Sequence, residues 1–301
     1  MEESMKKTGF IAILGRPNVG KSTLLNALLG EKIAIVSKKP QTTRNQIHGI
    51  LTVDETQYVF VDTPGLMKKA YNKLGDYMVK SVKSAIGGVD AAYLVVDAAK
   101  PVSDTEREIA DRLKSRKIPV ILVINKDDTV NAARLAEAIA EYSSLAEFNA
   151  VVPMSAINKR GCDILLAETD KFIEEGEWFF DEDMITDQPE RSLAAEVIRE
   201  KLLRVLEEEI PHGTAVIIEA FEEKSKLLKI RADIFCEKAS HKGIIIGKSG
   251  ATLKKIGTYA REDLEAFFGT KVLLELWVKV KENWRDSEVN LANFGFNQSD
   301  L

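Results

Sequence analysis

The stretch Gly15–Ser22 reads GRPNVGKS and fits the pattern G-x-x-x-x-G-K-S/T. An apolar run, GFIAIL, precedes it, and a helical pattern follows. A glycine-rich turn between a buried strand and a helix predicts a phosphate-binding loop, because its backbone N–H groups surround the anion. Lys21 can add charge at the β- and γ-phosphates, and the Ser22 hydroxyl can ligate Mg²⁺. The predicted nucleotide contacts in this loop are Gly15, Arg16, Pro17, Asn18, Val19, Gly20, Lys21, Ser22 and Thr23.

Outward from this loop, the chain alternates apolar runs with helical patterns over residues 1–175. Continuous apolar runs are typical of strands covered on both faces of a parallel sheet. The sequence therefore predicts an α/β domain with a mostly parallel, doubly wound sheet. The predicted strands are GFIAIL, TQYVFV, AAYLVV, PVILVI and NAVVPM, and the predicted helices lie near Ser22–Leu29, Leu74–Ile86, Asp104–Ser115, Asn131–Tyr142 and Asp163–Glu174.

A second motif, DTPG, follows the strand TQYVFV. It would lie at the carboxyl edge of the sheet, where α/β folds bind ligands. Asp62 can hold Mg²⁺ through a water molecule, and the Gly65 N–H can contact a γ-phosphate. Thr63 and Pro64, between them, complete this predicted part of the nucleotide site.

A third motif, NKDD, follows the strand PVILVI and has the pattern N-K-x-D. The Asp128 carboxylate can accept hydrogen bonds from guanine N1–H and N2–H₂. Adenine offers no such pair and would leave the charge unsatisfied. Asn125 can support the loop, and the stem of Lys126 can lie over the base. After the fifth strand, Ser155 and Ala156 can offer guanine O6 a backbone N–H, so the motifs together predict a guanine nucleotide.

The segment PQTTRNQ (Pro40–Gln46) lies between the phosphate-loop helix and the next strand. A switch threonine belongs there, closing on Mg²⁺ when a γ-phosphate is present. Thr43 is favoured for this role, with Thr42 as the alternative. The predicted Mg²⁺ residues are therefore Ser22, Thr43 and Asp62.

The residue after Gly65 bears on the rate of hydrolysis. Ras-like enzymes place there a glutamine that orients the attacking water, whereas this chain has Leu66. We therefore expect slow basal hydrolysis, on the order of one turnover per minute or less. Phosphate loops with Asn18 in this pattern resemble those of GTPases that bind K⁺ beside the phosphates, where the ion supplies charge. The predicted catalytic residues are Lys21, Thr43, Gly65 and Asn18, without a side-chain general base.

A change of composition marks a second domain. EEGEWFFDEDMITDQPE (Glu174–Glu190) holds eight acidic residues and no basic one, which predicts an acidic linker at residues 176–190. The patterns that follow predict a smaller α+β domain of order α-β-β-α-α-β at residues 191–301. Its predicted elements are a helix at Ser192–Glu209, strands at Thr214–Phe221 and Leu227–Cys236, a short helix with Ile244–Ile246, a helix at about Ala251–Phe268, and the strand KVLLELWVKV.

The stretch HKGIIIGKSGATLKK (His241–Lys255) repeats the letters GKS, but Lys242 stands where a phosphate loop needs its first glycine. It fits G-x-x-G between two helices instead, the setting of a KH module, which clamps about four nucleotides of single-stranded RNA. Residues 224–285 carry 14 basic and 7 acidic residues in a chain of net charge −5, which favours a local polyanion site. The predicted RNA contacts are Lys242, Ile246, Gly247, Lys248, Ser249, Gly250, Lys254 and Lys255.

The N-terminal domain resembles translation-factor-type GTPases, and the second resembles bacterial KH domains. With ITDQPERSLAAEVIREKLL (Ile185–Leu203), GIIIGKSG and VKVKENWR (Val278–Arg285), nearly the whole chain resembles the Era family of bacterial GTPases. The resemblance implies binding to the 3′ end of 16S rRNA during assembly of the small ribosomal subunit. It also implies loose association with the inner face of the cell membrane, and we expect a cytoplasmic monomer.

Two alternatives stay open. The chain could be an RNA-binding scaffold or membrane-associated adaptor with a vestigial nucleotide site, or a GTPase whose KH fold binds protein. No apolar run approaches the ~18–20 residues of a membrane span. Cys162 and Cys236 are expected to be buried free thiols, as in a reducing compartment. Trp277 is expected to pack in a core.

Overall fold

The chain folds into two compact units. The computed structural model describes residues 5–37, 39–65 and 72–297. The first unit holds residues 5–34, 43–65 and 78–187, and the second holds residues 188–297 with the short segments 35–37, 39–42 and 72–77. Most of the stretch predicted as a linker therefore lies within the first unit, which continues to Asp187.

Among the described residues of the first unit, seven strands form one sheet: β1 (Lys7–Leu14), β2 (Ile47–Val53), β3 (Thr56–Asp62), β4 (Ala91–Asp97), β5 (Val120–Asn125), β6 (Ala150–Pro153) and β7 (Glu174–Glu175). The order is β2-β3-β1-β4-β5-β6, and β7 pairs with the start of β1. Neighbours from β3 to β6 are parallel, whereas β2 and β7 run antiparallel to their partners. The mostly parallel sheet predicted from the apolar runs is confirmed.

The helices predicted within residues 1–175 are present, with ends shifted by a few residues. They are α1 (Lys21–Leu29), α2 (Lys73–Ala85), α3 (Asp104–Arg116), α4 (Ala132–Ser143) and α5 (Cys162–Asp170). Every residue of β4 and β5 is buried, and each fully buried aliphatic side chain contributes roughly 1.5–3 kcal/mol. That burial fixes the register of these strands, and with it the position of the loops at their carboxyl ends.

The second unit contains α6 (Glu190–Val205), β8 (Ala215–Lys224), β9 (Leu227–Cys236), α7 (Ala239–Ile246), α8 (Ala251–Phe268), β10 (Lys271–Val280) and α9 (Glu288–Asn293). Its sheet has the order β10-β9-β8, with β9 parallel to β10 and antiparallel to β8. The predicted order α-β-β-α-α-β is confirmed, although α6 ends before Glu209 and α9 was not predicted. None of the helices in the described ranges is both long and apolar enough to cross a membrane.

The two tryptophans of the second unit differ in burial. Trp277 is 61% exposed, so the prediction that it packs in a core was wrong. Side chains on β10 alternate between faces, and the register that buries Val272 and Val278 directs Trp277 away from the core. Trp284 is fully buried, and its Nε1 donates to the Gly213 carbonyl at 2.9 Å.

Both cysteines are free thiols, as predicted, but only Cys236 is buried. The Cys162 side chain at the start of α5 is partly exposed, which corrects the expectation of burial for that residue.

Candidate nucleotide site and candidate nucleic-acid interface

The phosphate loop joins β1 to α1 at the carboxyl edge of the first sheet. Gly20, just before α1, has φ 103°, a left-handed conformation that L side chains rarely adopt. A Cβ at Gly20 would lie 2.3 Å from Asn125 Nδ2. Glycine therefore lets the phosphate loop approach the N-K-x-D loop closely enough for both to contact one ligand.

Lys21 is the charged centre of this loop. Its side chain is buried, and Nζ donates to the carbonyls of Gly15 (3.2 Å) and Arg16 (3.1 Å). Burial lowers the pKa of Lys21 to about 8, partly opposed by the charge of Asp62. A bound phosphate would raise this pKa again, because a nearby negative charge favours the ammonium form.

The three predicted Mg²⁺ residues converge. Ser22 Oγ lies 2.9 Å from Thr43 Oγ1 and donates to Asp62 Oδ2 at 2.8 Å, and Thr43 Oγ1 donates to the same oxygen at 3.3 Å. The other carboxylate oxygen of Asp62, Oδ1, is buried without a hydrogen-bond partner among the described residues. Burial raises the pKa of Asp62, with the charge of Lys21 acting against it. Clustered hard oxygens with one buried atom unsatisfied fit Mg²⁺.

The same geometry favours Thr43 over Thr42 as the switch ligand. Thr43 is buried beside Ser22 and Asp62, whereas the Thr42 hydroxyl donates to the Lys39 carbonyl at 2.8 Å. Thr42 therefore has a local turn-forming contact and takes no part in the oxygen cluster.

Asn125 connects three loops, as the sequence predicted for a supporting residue. Its Nδ2 donates to the Val19 carbonyl at 2.9 Å, and its Oδ1 accepts from the Ala156 N–H at 3.0 Å. That N–H is the donor predicted for guanine O6, so a bound guanine would share it with Asn125. Asp128 is exposed at this site.

Lys126 lies against the phosphate loop through contacts that sequence reasoning did not foresee. Its Nζ donates to the Asn18 carbonyl at 2.6 Å and to Asp97 Oδ2 at 2.8 Å. Asp97 ends β4 and pairs in register with Asn125 on β5. The available signal was an acidic residue closing the strand AAYLVV at the ligand-binding edge.

Arg16 has a partner that was also missed. Its guanidinium pairs with Glu106, whose side chain is fully buried, and Nη2 donates to the Pro101 carbonyl at 3.3 Å. Glu106 also forms the capping box of α3 with Ser103, a local pattern that is visible in the sequence. The ion pair therefore links the phosphate loop, at Arg16, to the first turn of α3.

The remaining predicted residues lie along the same edge of the first unit. Thr63 Oγ1 donates to the Ile13 carbonyl at 2.8 Å, and Gly65 is half-buried after β3. Leu66 lies outside the described residues. The loops at this edge also contain Pro17, Val19, Pro64 and Ser155, and Thr23 lies in the first turn of α1.

In the second unit the G-x-x-G turn joins α7 to α8, as predicted. Gly247 has φ 73°, and a Cβ there would lie 2.9 Å from the Thr252 backbone nitrogen. Ser249 and Gly250 also have positive φ, so the backbone makes a tight turn between the two helices. Glycines at both ends of such a turn permit the close approach of a nucleic-acid backbone.

Charge and apolar surface lie on either side of this turn. Lys248, Lys254 and Lys255 are exposed, and Lys242 is half-buried. Within α7, Ile245 is fully buried, whereas Ile244 is 51% exposed and Ile246 is half-buried. Ile244 therefore joins Ile246 as apolar surface available to bases.

Comparison with known proteins agrees with this two-part organisation. Residues 10–126 match the model of the 50S ribosome-binding GTPase family, and residues 209–285 match that of the KH domain. The chain is 49% identical over 291 residues to the GTPase Era of Ruminiclostridium cellulolyticum, covering 96% of this chain and 97% of that protein.

Solved structures show the same likeness. A crystal structure of an Era variant from Aquifex aeolicus bound to GDP·AlF₄⁻ has a TM-score of 0.92 and 40% identity, covering 96% of this chain and 99% of that one. A structure of Era in complex with MgGDPNP and nucleotides 1506–1542 of 16S ribosomal RNA has a TM-score of 0.92 and 39% identity, covering 97% and 99%.

Proposed function

The chain belongs to the Era family of GTPases, and from that premise we propose that it is a GTP-controlled switch that binds the 3′ end of 16S rRNA during assembly of the small ribosomal subunit. The observation that carries the proposal is the pairing of a nucleotide site in one unit with an exposed, basic G-x-x-G turn in the other. The complex of a relative with MgGDPNP and 16S ribosomal RNA supports both ligands.

The nucleotide site can stabilise the charge that develops when GTP is hydrolysed. The Lys21 ammonium lies at the loop that would hold the β- and γ-phosphates, and the Gly65 N–H can contact the γ-phosphate. Mg²⁺, held by Ser22, Thr43 and Asp62, would neutralise phosphate charge when bound. Leu66 cannot hydrogen-bond the attacking water, so we expect backbone groups to orient it and basal turnover to be slow.

The switch is proposed to act through the segment that precedes Thr43. Within the second unit, the Val36 N–H donates to Glu200 Oε1 at 3.0 Å, and Arg199 donates to the Thr42 carbonyl. Both acceptor and donor side chains lie on α6, the first helix of the RNA-binding unit. Thr43, in the oxygen cluster, directly follows Thr42 in the chain. Ordering of Thr43 by Mg²⁺ and γ-phosphate would therefore alter the contacts between this segment and α6.

The RNA proposal is tested by crosslinking the GTP-bound protein to total cellular RNA and mapping the contacts. We expect crosslinks from the G-x-x-G turn to the 3′ end of 16S rRNA. A Gly247→Asp, Gly250→Asp variant serves as the matched control and should lose those crosslinks. Crosslinks that persist in this variant, or that map to other RNAs, would favour a KH fold that serves protein binding instead.

K⁺ is proposed as a second ion beside the phosphates, held through Asn18. The basis is Asn18 in the phosphate loop together with Leu66 after the DTPG motif. GTP turnover should be faster in K⁺ than in Na⁺, and Asn18→Asp should remove the difference. Equal rates of the unaltered protein in the two salts would exclude this role.

The family resemblance also supports a monomeric cytoplasmic protein with loose, peripheral association with the inner face of the cell membrane. Flotation with vesicles of bacterial lipid checks the membrane part of this proposal, and light scattering checks the oligomeric state. Failure to float with any vesicle would exclude the membrane association but would leave the proposed GTPase activity unaffected.

A further inference from the structure

The x position of the N-K-x-D motif is itself acidic in this chain. Asp127 and Asp128 stand side by side, so two carboxylates meet where one is needed to accept hydrogen bonds from guanine. Asp127 is only 10% exposed in its side chain, whereas Asp128 is exposed. A second unpaired carboxylate so close would repel the first and compete for the same donors.

Arg160 pairs with the first of these carboxylates. Its Nη2 donates to Asp127 Oδ1 at 2.5 Å, while the Arg160 side chain stays 63% exposed. The backbone around Arg160 is held as well, because its N–H and its carbonyl both pair with Ser155 at 3.1 Å. The guanidinium is therefore presented from the Ser155–Ala156 loop rather than from the N-K-x-D loop.

This ion pair is one of three links between the N-K-x-D loop and the loop that follows β6. Asn125 links the same two loops from the buried side through the Ala156 N–H, and the Asp127 N–H donates to the Met154 carbonyl at 3.2 Å. The Arg160–Asp127 pair links them from the exposed side. With Asp127 paired to Arg160 and largely buried, Asp128 is the exposed carboxylate of the two.

We propose that Arg160 is a positioning residue for guanine recognition: it holds and neutralises Asp127, so that Asp128 keeps the orientation in which it accepts both guanine hydrogen bonds. Arg160 acts through Asp127 and need not touch the base. The inference rests on the assignment of Asp128 as the guanine acceptor, and a test must separate the two.

The experiment compares binding of GDP and IDP to the full chain, because hypoxanthine lacks the N2 amine and makes only one of the two hydrogen bonds to Asp128. Arg160→Ala should weaken GDP about three- to fivefold, the range of a partly exposed ion pair, and weaken IDP less than twofold. Arg160→Lys should recover part of the loss. Arg107→Ala, an exposed arginine on α3, is the matched control and should change neither ligand.

A double-mutant cycle measures how much the Arg160–Asp127 pair contributes to GDP affinity. In an Asp127→Asn background there is no second charge to neutralise, so Arg160→Ala should have little further effect. Equal losses of GDP and IDP in Arg160→Ala, or an undiminished loss in the Asp127→Asn background, would overturn the proposal. Asp128→Asn is measured alongside, and if it leaves GDP affinity unchanged, the assignment of Asp128 fails instead.

Discussion

The two glycine loops share the letters GKS, yet their lysines lie in opposite surroundings. Lys21 is 6% exposed and is held by two carbonyls, within a site to which several strands of the first sheet contribute. Lys248 is exposed on a turn between two helices. A buried, enclosed cation suits the compact phosphates of one nucleotide, whereas an open turn with neighbouring lysines suits a long polyanion.

The largest effect of a single substitution on GTP turnover should follow from a change in the phosphate loop. Lys21→Ala removes the ammonium predicted to contact the β- and γ-phosphates, and we expect GTP turnover to fall by about 10³-fold. RNA binding measured without nucleotide should stay within twofold of the unaltered protein. Retained turnover in the variant would show that this lysine is not the catalytic cation.

Disrupting the G-x-x-G turn should weaken RNA binding and leave nucleotide binding intact. Gly247→Asp with Gly250→Asp adds two negative charges and two side chains where a phosphate backbone would approach. We expect RNA affinity to fall about 100-fold, roughly 2.7 kcal/mol, while GDP affinity is unchanged. Gly269→Asp, on the C-terminal cap of α8 in the same unit, also has positive φ and serves as a control for backbone strain.

The lowered pKa of Lys21 predicts that nucleotide affinity depends on pH. This dependence arises in the phosphate loop and not in the G-x-x-G turn. In the nucleotide-free protein this pKa is lowered by burial to about 8, and bound phosphates would raise it. Below pH 8 the lysine is charged with or without nucleotide, so affinity should not vary. Above pH 8 binding must take up a proton, so GDP affinity should fall by up to about tenfold per pH unit. Titration calorimetry at pH 7 and pH 8.8, below the range in which guanine N1–H loses its own proton, checks this.

A Lys21→Met variant provides the control for that experiment. It has no titratable group at this position, so its weaker GDP binding should be flat across the same pH range. A parallel decline in both proteins would assign the pH dependence to another group.

The loops themselves could be predicted because their signals are local. Spacing within GRPNVGKS, DTPG and NKDD, and the helix setting of G-x-x-G, need only a few neighbouring residues. The partners Glu106, Asp97 and Arg160 could not be predicted, because each meets its loop only after distant strands come into register. The capping-box pattern of Ser103 and Glu106 is visible in the sequence and accounts for Glu106 at the start of α3, but it gives no sign of Arg16.

Strand β2 was not predicted, and Trp277 was wrongly predicted to be buried. Both errors have local causes. The strand β2 is an antiparallel edge strand whose glycine and polar positions interrupt the apolar pattern, so it lacked the continuous run seen in β4 and β5. Trp277 was expected in a core, as is common for a tryptophan in an apolar strand, but the adjacent Leu273 and Leu274 leave the phase of β10 ambiguous in the sequence. The structure shows the phase that exposes Leu273 and Trp277.

The most direct test of the central claim compares RNA affinity in two nucleotide states. The full chain is titrated with a single-stranded fragment from the 3′ end of 16S rRNA in saturating GDP and in a non-hydrolysable GTP analogue, both with Mg²⁺. If GTP controls RNA binding, the analogue state should bind RNA at least about tenfold more tightly, with an equal gain in analogue affinity when RNA is present. Identical RNA affinity in the two states would contradict it.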